Sequence, residues 1–243
     1  MARFDALAVA LMLGACGTAA PQLGNGIPSL ATARAALAGG AEQVALNICT
    51  RLSEVDRRNS GALACEGDAL LALGRTADAD TAYTTALVTE PGLADAQLGL
   101  GRLRLATDPK RAEELFLRVL AKDPRDAAAL NNLGIARDLQ GRHSEAQKAY
   151  GEAIAANPDM RAAQVNLALS IALEGRTADA VRLLTPLGNS ADATIRERHD
   201  LAAVLAMDGR VAEATRLLSP DLQGAELDAA LAGYRALLAR PGR

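Results

Sequence analysis

Two breaks recur along this chain at a fixed distance, and together they restrict it to one kind of architecture. Gly-Arg pairs stand at Gly74-Arg75, Gly141-Arg142, Gly175-Arg176 and Gly209-Arg210, and Gly40 precedes the first of them. From Gly40 onward the successive spacings are 34, 67, 34 and 34, so the long gap holds two repeats, one of them shorter by a single position. That repeat carries Thr107-Asp108-Pro109 in place of Gly. The second break is proline: Pro91, Pro124 and Pro158 recur at spacings of 33 and 34, each after an Ala- and Leu-rich stretch. Proline cannot continue a helix interior, and glycine closes a helix by adopting the left-handed cap. Two stops per period define a helix–turn–helix unit. Such units cannot bury their apolar faces alone and must stack.

Composition agrees with helices throughout. The 243 residues are 50% hydrophobic but only 2% aromatic, and Trp is absent. Ala and Leu dominate, and both lose little side-chain freedom in a helix. The formal net charge of −3 argues against a general nucleic-acid binder, which would show a basic patch or stripe. It argues equally against a polybasic membrane-surface protein.

The spaced residues resemble the tetratricopeptide repeat (TPR): Leu-Gly or Leu-Ala in the first helix, Gly in the turn, Ala and an aromatic in the second helix, then Ala and Pro. The unit at 127–160 carries Leu133, Gly134, Gly141, Ala146, Tyr150, Ala153 and Pro158. The unit at 60–93 carries Gly67, Gly74, Ala79, Tyr83, Ala86 and Pro91, and that at 94–126 carries Leu100, Gly101, Ala112, Phe116 and Pro124. Units 161–194 and 195–228 keep Leu-Ala, Gly and Ala but replace the aromatic with Leu184 and Leu218. A degenerate unit at about 26–59 precedes them, and a helix at about 225–240 follows as a cap. The resemblance implies an all-α, right-handed superhelical solenoid of about six helix-turn-helix units with a C-terminal capping helix, over residues 29–240. Gly67, Gly101 and Gly134 would let paired helices approach closely, with Tyr83, Phe116 and Tyr150 filling the space between units.

The same resemblance places the first helix of each unit on a concave, partner-binding groove. Its register puts Asp68, Leu71, Leu98, Arg102, Leu105, Asn131, Ile135, Asp138 and Leu139 there, continued by Val165, Leu169, Leu173, Arg196 and His199. The stripe is more apolar than charged and suits an amphipathic helix or an extended peptide with aliphatic anchors. Chaperone-binding TPR proteins clamp a C-terminal carboxylate with Lys and Asn. Here Asn131, Asn132 and Asn166 are present without a groove Lys, so bridging between neighbouring helices is the expected role of these amides, although Asn166 is kept as a groove candidate. His143 and His199 have no second His or Cys at metal-ligand spacing. Glu113 and Glu114 read as a solvated helix face, and no phosphate loop or nucleophile elbow occurs. The chain is expected to be no enzyme and to need no cofactor, metal or small-molecule substrate.

The N-terminus is a different kind of sequence. Arg3 precedes an apolar run from Ala6 to Leu13, too short for the roughly 20 residues of a membrane span and suited to a secretory signal over 1–15. Leu13-Gly14-Ala15-Cys16 resembles a bacterial lipobox, which implies cleavage before Cys16 and acylation of it, with several acyl chains giving a stable anchor. Residues 17–28 are rich in Gly and Pro and read as a tether. In an exported protein disulfides persist. Cys49 falls on the second helix of the first unit and Cys65 on the first helix of the second. They are either bonded or two small buried thiols packing as hydrophobes, the second reading being preferred.

From His199 onward the sequence looks like the end of TadD-type proteins of the tight-adherence (Flp) pilus system, with an Asp221-Leu222 turn and a last helix bearing Tyr234. That resemblance implies a lipoprotein on the periplasmic face of the bacterial outer membrane. Its partner would be a secretin or another pilus-assembly component. The rivals are a scaffold of another envelope machine (polysaccharide export, outer-membrane assembly, peptidoglycan synthesis) or an unlipidated soluble adaptor. Cys16→Ala is expected to move the protein out of the membrane fraction. A variant that fractionates like wild type would leave the soluble adaptor standing.

Overall fold

A computed structural model describes residues 29–238. The signal, Cys16 and the tether of residues 17–28 lie outside the described residues. The described chain is all α-helical, in six consecutive helix pairs and a final helix. The pairs are α1 (Leu30–Ala38) with α2 (Glu42–Val55), α3 (Ser60–Ala72) with α4 (Thr76–Thr89), and α5 (Ala94–Arg104) with α6 (Pro109–Leu120). They continue with α7 (Ala127–Asp138) and α8 (His143–Ala156), α9 (Arg161–Leu173) and α10 (Thr177–Gly188), and α11 (Ile195–Met207) and α12 (Val211–Leu218). Helix α13 (Gly224–Leu238) packs on both α11 and α12 and closes the array.

The Gly-Arg pairs build the turn inside four of the six units, and Gly40 with Ala41 does so in the first. Gly74 and Gly141 have φ of 75° and 74°, a region costly for any residue with a Cβ. With the glycine in that conformation, the next amide turns back: Arg75 N donates to Leu70 O at 2.8 Å and Arg142 N to Arg137 O at 2.9 Å. These bonds satisfy carbonyls that the helix end would otherwise orphan. The arginine then pairs with an acid three residues on, Arg75 with Asp78 and Arg142 with Glu145, in the first turn of the second helix. The short unit replaces this device. Asp108 caps α6 by accepting from Arg111 N at 3.0 Å, and Pro109 takes the first helical position, where its missing N–H costs nothing.

The core is a set of rows along the array. Ala79, Ala112, Ala146, Ala180 and Ala214 on the second helices have no exposed surface, and Tyr83, Phe116, Tyr150, Leu184 and Leu218 are sealed beside them. The rings rest on the glycines of the first helices. A Cβ on Gly67 would meet the Tyr83 ring at 2.6 Å, one on Gly101 the Phe116 ring at 2.4 Å, and one on Gly134 the Tyr150 ring at 2.3 Å. Tyr83 also lies against Gly99 of the next unit, where a Cβ would fall 2.2 Å from it.

At the N-terminal end a covalent bond takes over this role. Cys49 and Cys65 are joined as a disulfide between α2 and α3, with Cα atoms 5.9 Å apart. The preferred reading of two packed thiols is thereby corrected. Cys49 stands one full repeat before Tyr83, at the ring's place in the row, so the bond crosses the space that a ring fills elsewhere. Closing so short a loop stabilises by about 3 kcal/mol in the chain-entropy account.

Gly134→Leu is expected to destabilise by about 3 kcal/mol through overpacking against Tyr150, lowering Tm by roughly 6–12 °C for a chain of this size. A melt equal to wild type would show that the ring does not sit on this helix.

Candidate functional site: the face of the first helices

Neighbouring first helices touch directly, in the runs α1–α3–α5 and α7–α9–α11, while each second helix packs on the first helix of the following unit. The array therefore curls with first helices inside. Each run borders an open cleft on this inner face. The N-terminal one, about 430 Å³, is lined by Leu37, Ala38, Asp68, Leu71, Ala72 and Arg102. The C-terminal one, about 340 Å³, is lined by Asn131, Ile135, Ala162, Val165, Asn166 and residues 194, 196, 197 and 200. A cavity of about 510 Å³ on the other side, between α2, α3 and α4, has walls that include Thr50, Glu66, Arg75, Asp78 and Thr85.

The N-terminal cavity is closed in on itself electrostatically. Arg102 donates to Asp68 at 3.0 Å, and Arg34 reaches Asp95 at 2.5 Å from α1 to α5. The Tyr83 hydroxyl also donates to Asp68, at 2.7 Å. Burial lifts the Asp68 carboxyl above its ordinary range, against the Tyr83 hydrogen bond and the Arg102 charge that draw it down. Burial, and then the Asp68 charge, push the Tyr83 phenol up, so it stays a donor.

The C-terminal cavity has a different character. Asn166 Nδ2 donates to Asn131 Oδ1 at 2.9 Å, a bridge from α9 to α7. Ile135 and Val165 supply apolar wall, and Leu139 and Leu173 lie one turn beyond Ile135 and Leu169, 55% and 46% exposed. At the far edge Arg161 holds Glu197 by a two-pronged pair, Nε to Oε1 at 2.6 Å and Nη2 to Oε2 at 2.9 Å. Thr194 completes a capping box with the same carboxylate. The Arg161 hydrogen bonds, helped by the Thr194 backbone and hydroxyl, hold the Glu197 carboxyl down to about 2 against its partial burial.

Several groove candidates also make contacts within the fold. Asp138 is not a free groove acid: its carboxylate accepts from the Tyr150 hydroxyl at 2.9 Å and Ser170 Oγ at 2.7 Å, and His143 Nδ1 lies 2.8 Å away. It ties α7 to α8 and α9. His199 turns from the groove and meets Asp221 at 3.1 Å, beside Arg198, in the segment before α13. Asp200, its neighbour, lines the cavity instead. Leu98 and Leu105 are partly buried against Phe116 and Leu133, and Leu169 against the C-terminal core. Glu113 is not solvated: it is 9% exposed and takes Arg137 at 3.0 Å, Gln140 at 2.8 Å and Arg142 at 2.7 Å. Burial alone would raise its pKa, but these three donors outweigh it and hold the carboxyl low. Among the described residues no group of three His, Cys, Asp or Glu is placed to hold a metal, and no helix is long and apolar enough to cross a membrane.

A curled stack of helix pairs with the first helices lining its inner face defines an α-helical solenoid. Family models described as tetratricopeptide repeat match residues 115–148, 66–108 and 139–185, so these stretches carry that repeat. The fold is shared with PilW, a "widely conserved type IV pilus biogenesis factor", at TM-score 0.70 and 20% identity over 83% of this chain and 96% of that one. A tetratricopeptide repeat protein from Parabacteroides merdae matches at TM-score 0.66 and 17% identity over 87% and 83% of the two chains. The pilF protein of Pseudomonas aeruginosa matches at TM-score 0.59 and 25% identity over 74% and 87%. No curated protein matches in sequence. Repeats of this kind generally serve as protein-binding adaptors, so these stretches define a protein-interaction scaffold.

The Arg161–Glu197 pair gives a pH test. A carboxyl lowered from 4.5 to about 2 in the folded state stabilises fully above about pH 4.5 and loses that contribution as the pH falls toward 2. Glu197→Gln should therefore melt below wild type at pH 7, with the gap closing between pH 4.5 and 2. A gap that stays constant across that window would show that the pair adds no pH-linked stability.

Proposed function

We propose that this chain is a lipid-anchored, non-catalytic scaffold of the bacterial envelope that assists assembly or secretin localisation of a Tad/Flp-type pilus. The observation that carries the reading is the groove along α7, α9 and α11, where aliphatic side chains surround a bridging amide pair. Such a surface takes one edge of a peptide or amphipathic helix. The lipobox-like Leu13-Gly14-Ala15-Cys16 and the Gly- and Pro-rich residues after it supply the anchor and reach that such a role needs. At about 3.3 Å per residue, twelve residues span at most on the order of 40 Å when fully extended. The fold is one that a type IV pilus biogenesis factor also uses, which makes the role compatible with the architecture.

The test is purification of the tagged full-length protein from its native envelope in mild detergent, with partners identified by mass spectrometry. A secretin or other pilus-assembly component should co-purify, and be lost when Ile135→Asp is combined with Leu173→Asp in a protein that still melts cooperatively. Recovery of a different envelope machine, or of cytoplasmic proteins alone, would discard the pilus assignment and leave the scaffold.

A further inference from the structure

Most charged side chains facing the inner surface are already spoken for within the molecule. Asp68 has Tyr83 and Arg102, Asp95 has Arg34, Asp138 has Tyr150 and Ser170, and Glu197 has Arg161 and Thr194. Asp200 differs. It lines the C-terminal cavity, its side chain is only 22% exposed, and among the described residues it accepts no hydrogen bond. Its nearest cation, Arg196 Nε, stands 4.0 Å off on a side chain that is 89% exposed. Burial raises its carboxyl, with Arg196 and His199 opposing and Glu197 adding to the rise. A partly buried carboxylate to which no protein group donates keeps its acceptor oxygens open to a donor brought by a ligand.

The surroundings say what that donor is attached to. Asp200 stands one full repeat after Asn166, at the same level of the next first helix. One turn along from that level lie Ile135 and Leu169, and a further turn brings Leu139 and Leu173, the last two exposed. An aliphatic ladder beside a lone acceptor complements a segment whose apolar side chains are accompanied by one cation.

Resting on the scaffold reading above, we propose that the α7–α9–α11 groove selects a partner peptide with aliphatic anchors and a lysine or arginine that donates to Asp200. The aliphatic side chains cover Ile135, Leu139 and Leu173, and the cation replaces the missing donor. An acidic residue at that place would meet a like charge in partly desolvated surroundings and be rejected.

The test uses the purified full-length protein in detergent and a random peptide library displayed on phage, followed by synthetic copies of the enriched peptides in fluorescence anisotropy. Enriched sequences should combine Leu, Ile or Val with one Lys or Arg. Replacing that Lys or Arg by Gln, or using Asp200→Asn, should weaken binding about tenfold or more, as loss of a charge-assisted hydrogen bond does. The two changes together should cost no more than either alone, and Asp200→Lys should turn the preference toward Asp or Glu. Because Asp200 accepts no hydrogen bond within the described chain, Asp200→Asn should melt at or above the wild-type temperature, which separates a binding role from a structural one. Peptides that bind without a basic residue, unaffected by Asp200→Asn but lost with Ile135→Asp, would overturn this inference and leave the groove reading intact. No enrichment, or peptides held equally by Ile135→Asp, would overturn both.

Discussion

The seat of an aromatic ring on a helix glycine is the contact on which the rest of this structure depends. Tyr83, Phe116 and Tyr150 each occupy space that a Cβ on the facing helix would take. That closeness brings the two helices of a unit together, and because Tyr83 also lies on Gly99 of the following unit, one ring seals two units at once. Burying such a side chain is worth about 1.5–3 kcal/mol, and a stacked array sums terms of this kind from neighbour to neighbour. Where the ring gives way to Leu184 and Leu218, the glycine gives way to Ala168 and Ala202, all four within one core. A smaller knob meets a shallower hole, a volume-conserving exchange that packing tolerates.

The rings also decide which acids belong to the fold. A buried phenol needs an acceptor, and Asp68 and Asp138 provide it for Tyr83 and Tyr150. Phe116 has no hydroxyl to satisfy, and the position corresponding to Asp138, just past the end of α5, holds Leu105. So a groove read purely by position mixes two populations: side chains that complete the seams and side chains left over for a partner.

That distinction sets how much is legible in the sequence. The period defines the units, the turn glycines, the sealed alanine row and the rings, because each follows from spacing within one chain segment. Finer positions depend on rotation. Successive residues on a helix are about 100° apart, so a register uncertain by one residue separates His199, which turns to Asp221, from Asp200, which faces the cavity. The register carries the signal even so, since Asp200 lies one period after Asn166. Glu113 escapes sequence reading for another reason: its three donors come from residues 24 to 29 positions away, and which face a second helix turns to the next unit is set by how the units twist together. The cysteines are half legible. Their helices are adjacent by topology, but the bond is explained by Cys49 holding a ring position with no ring in it.

The two halves of the inner face then differ in what they ask of a ligand. In the N-terminal run Arg34–Asp95 and Arg102–Asp68 already pair across the surface. Exposed pairs of this sort stabilise the fold little, by about 0–1 kcal/mol each, but an incoming chain would have to desolvate both partners while offering them nothing better. In the C-terminal run the amides of Asn131 and Asn166 satisfy each other, which leaves aliphatic surface that gains by being covered and one acid that gains by being met. Of the two runs, the C-terminal one is therefore the better suited to gain by taking a partner.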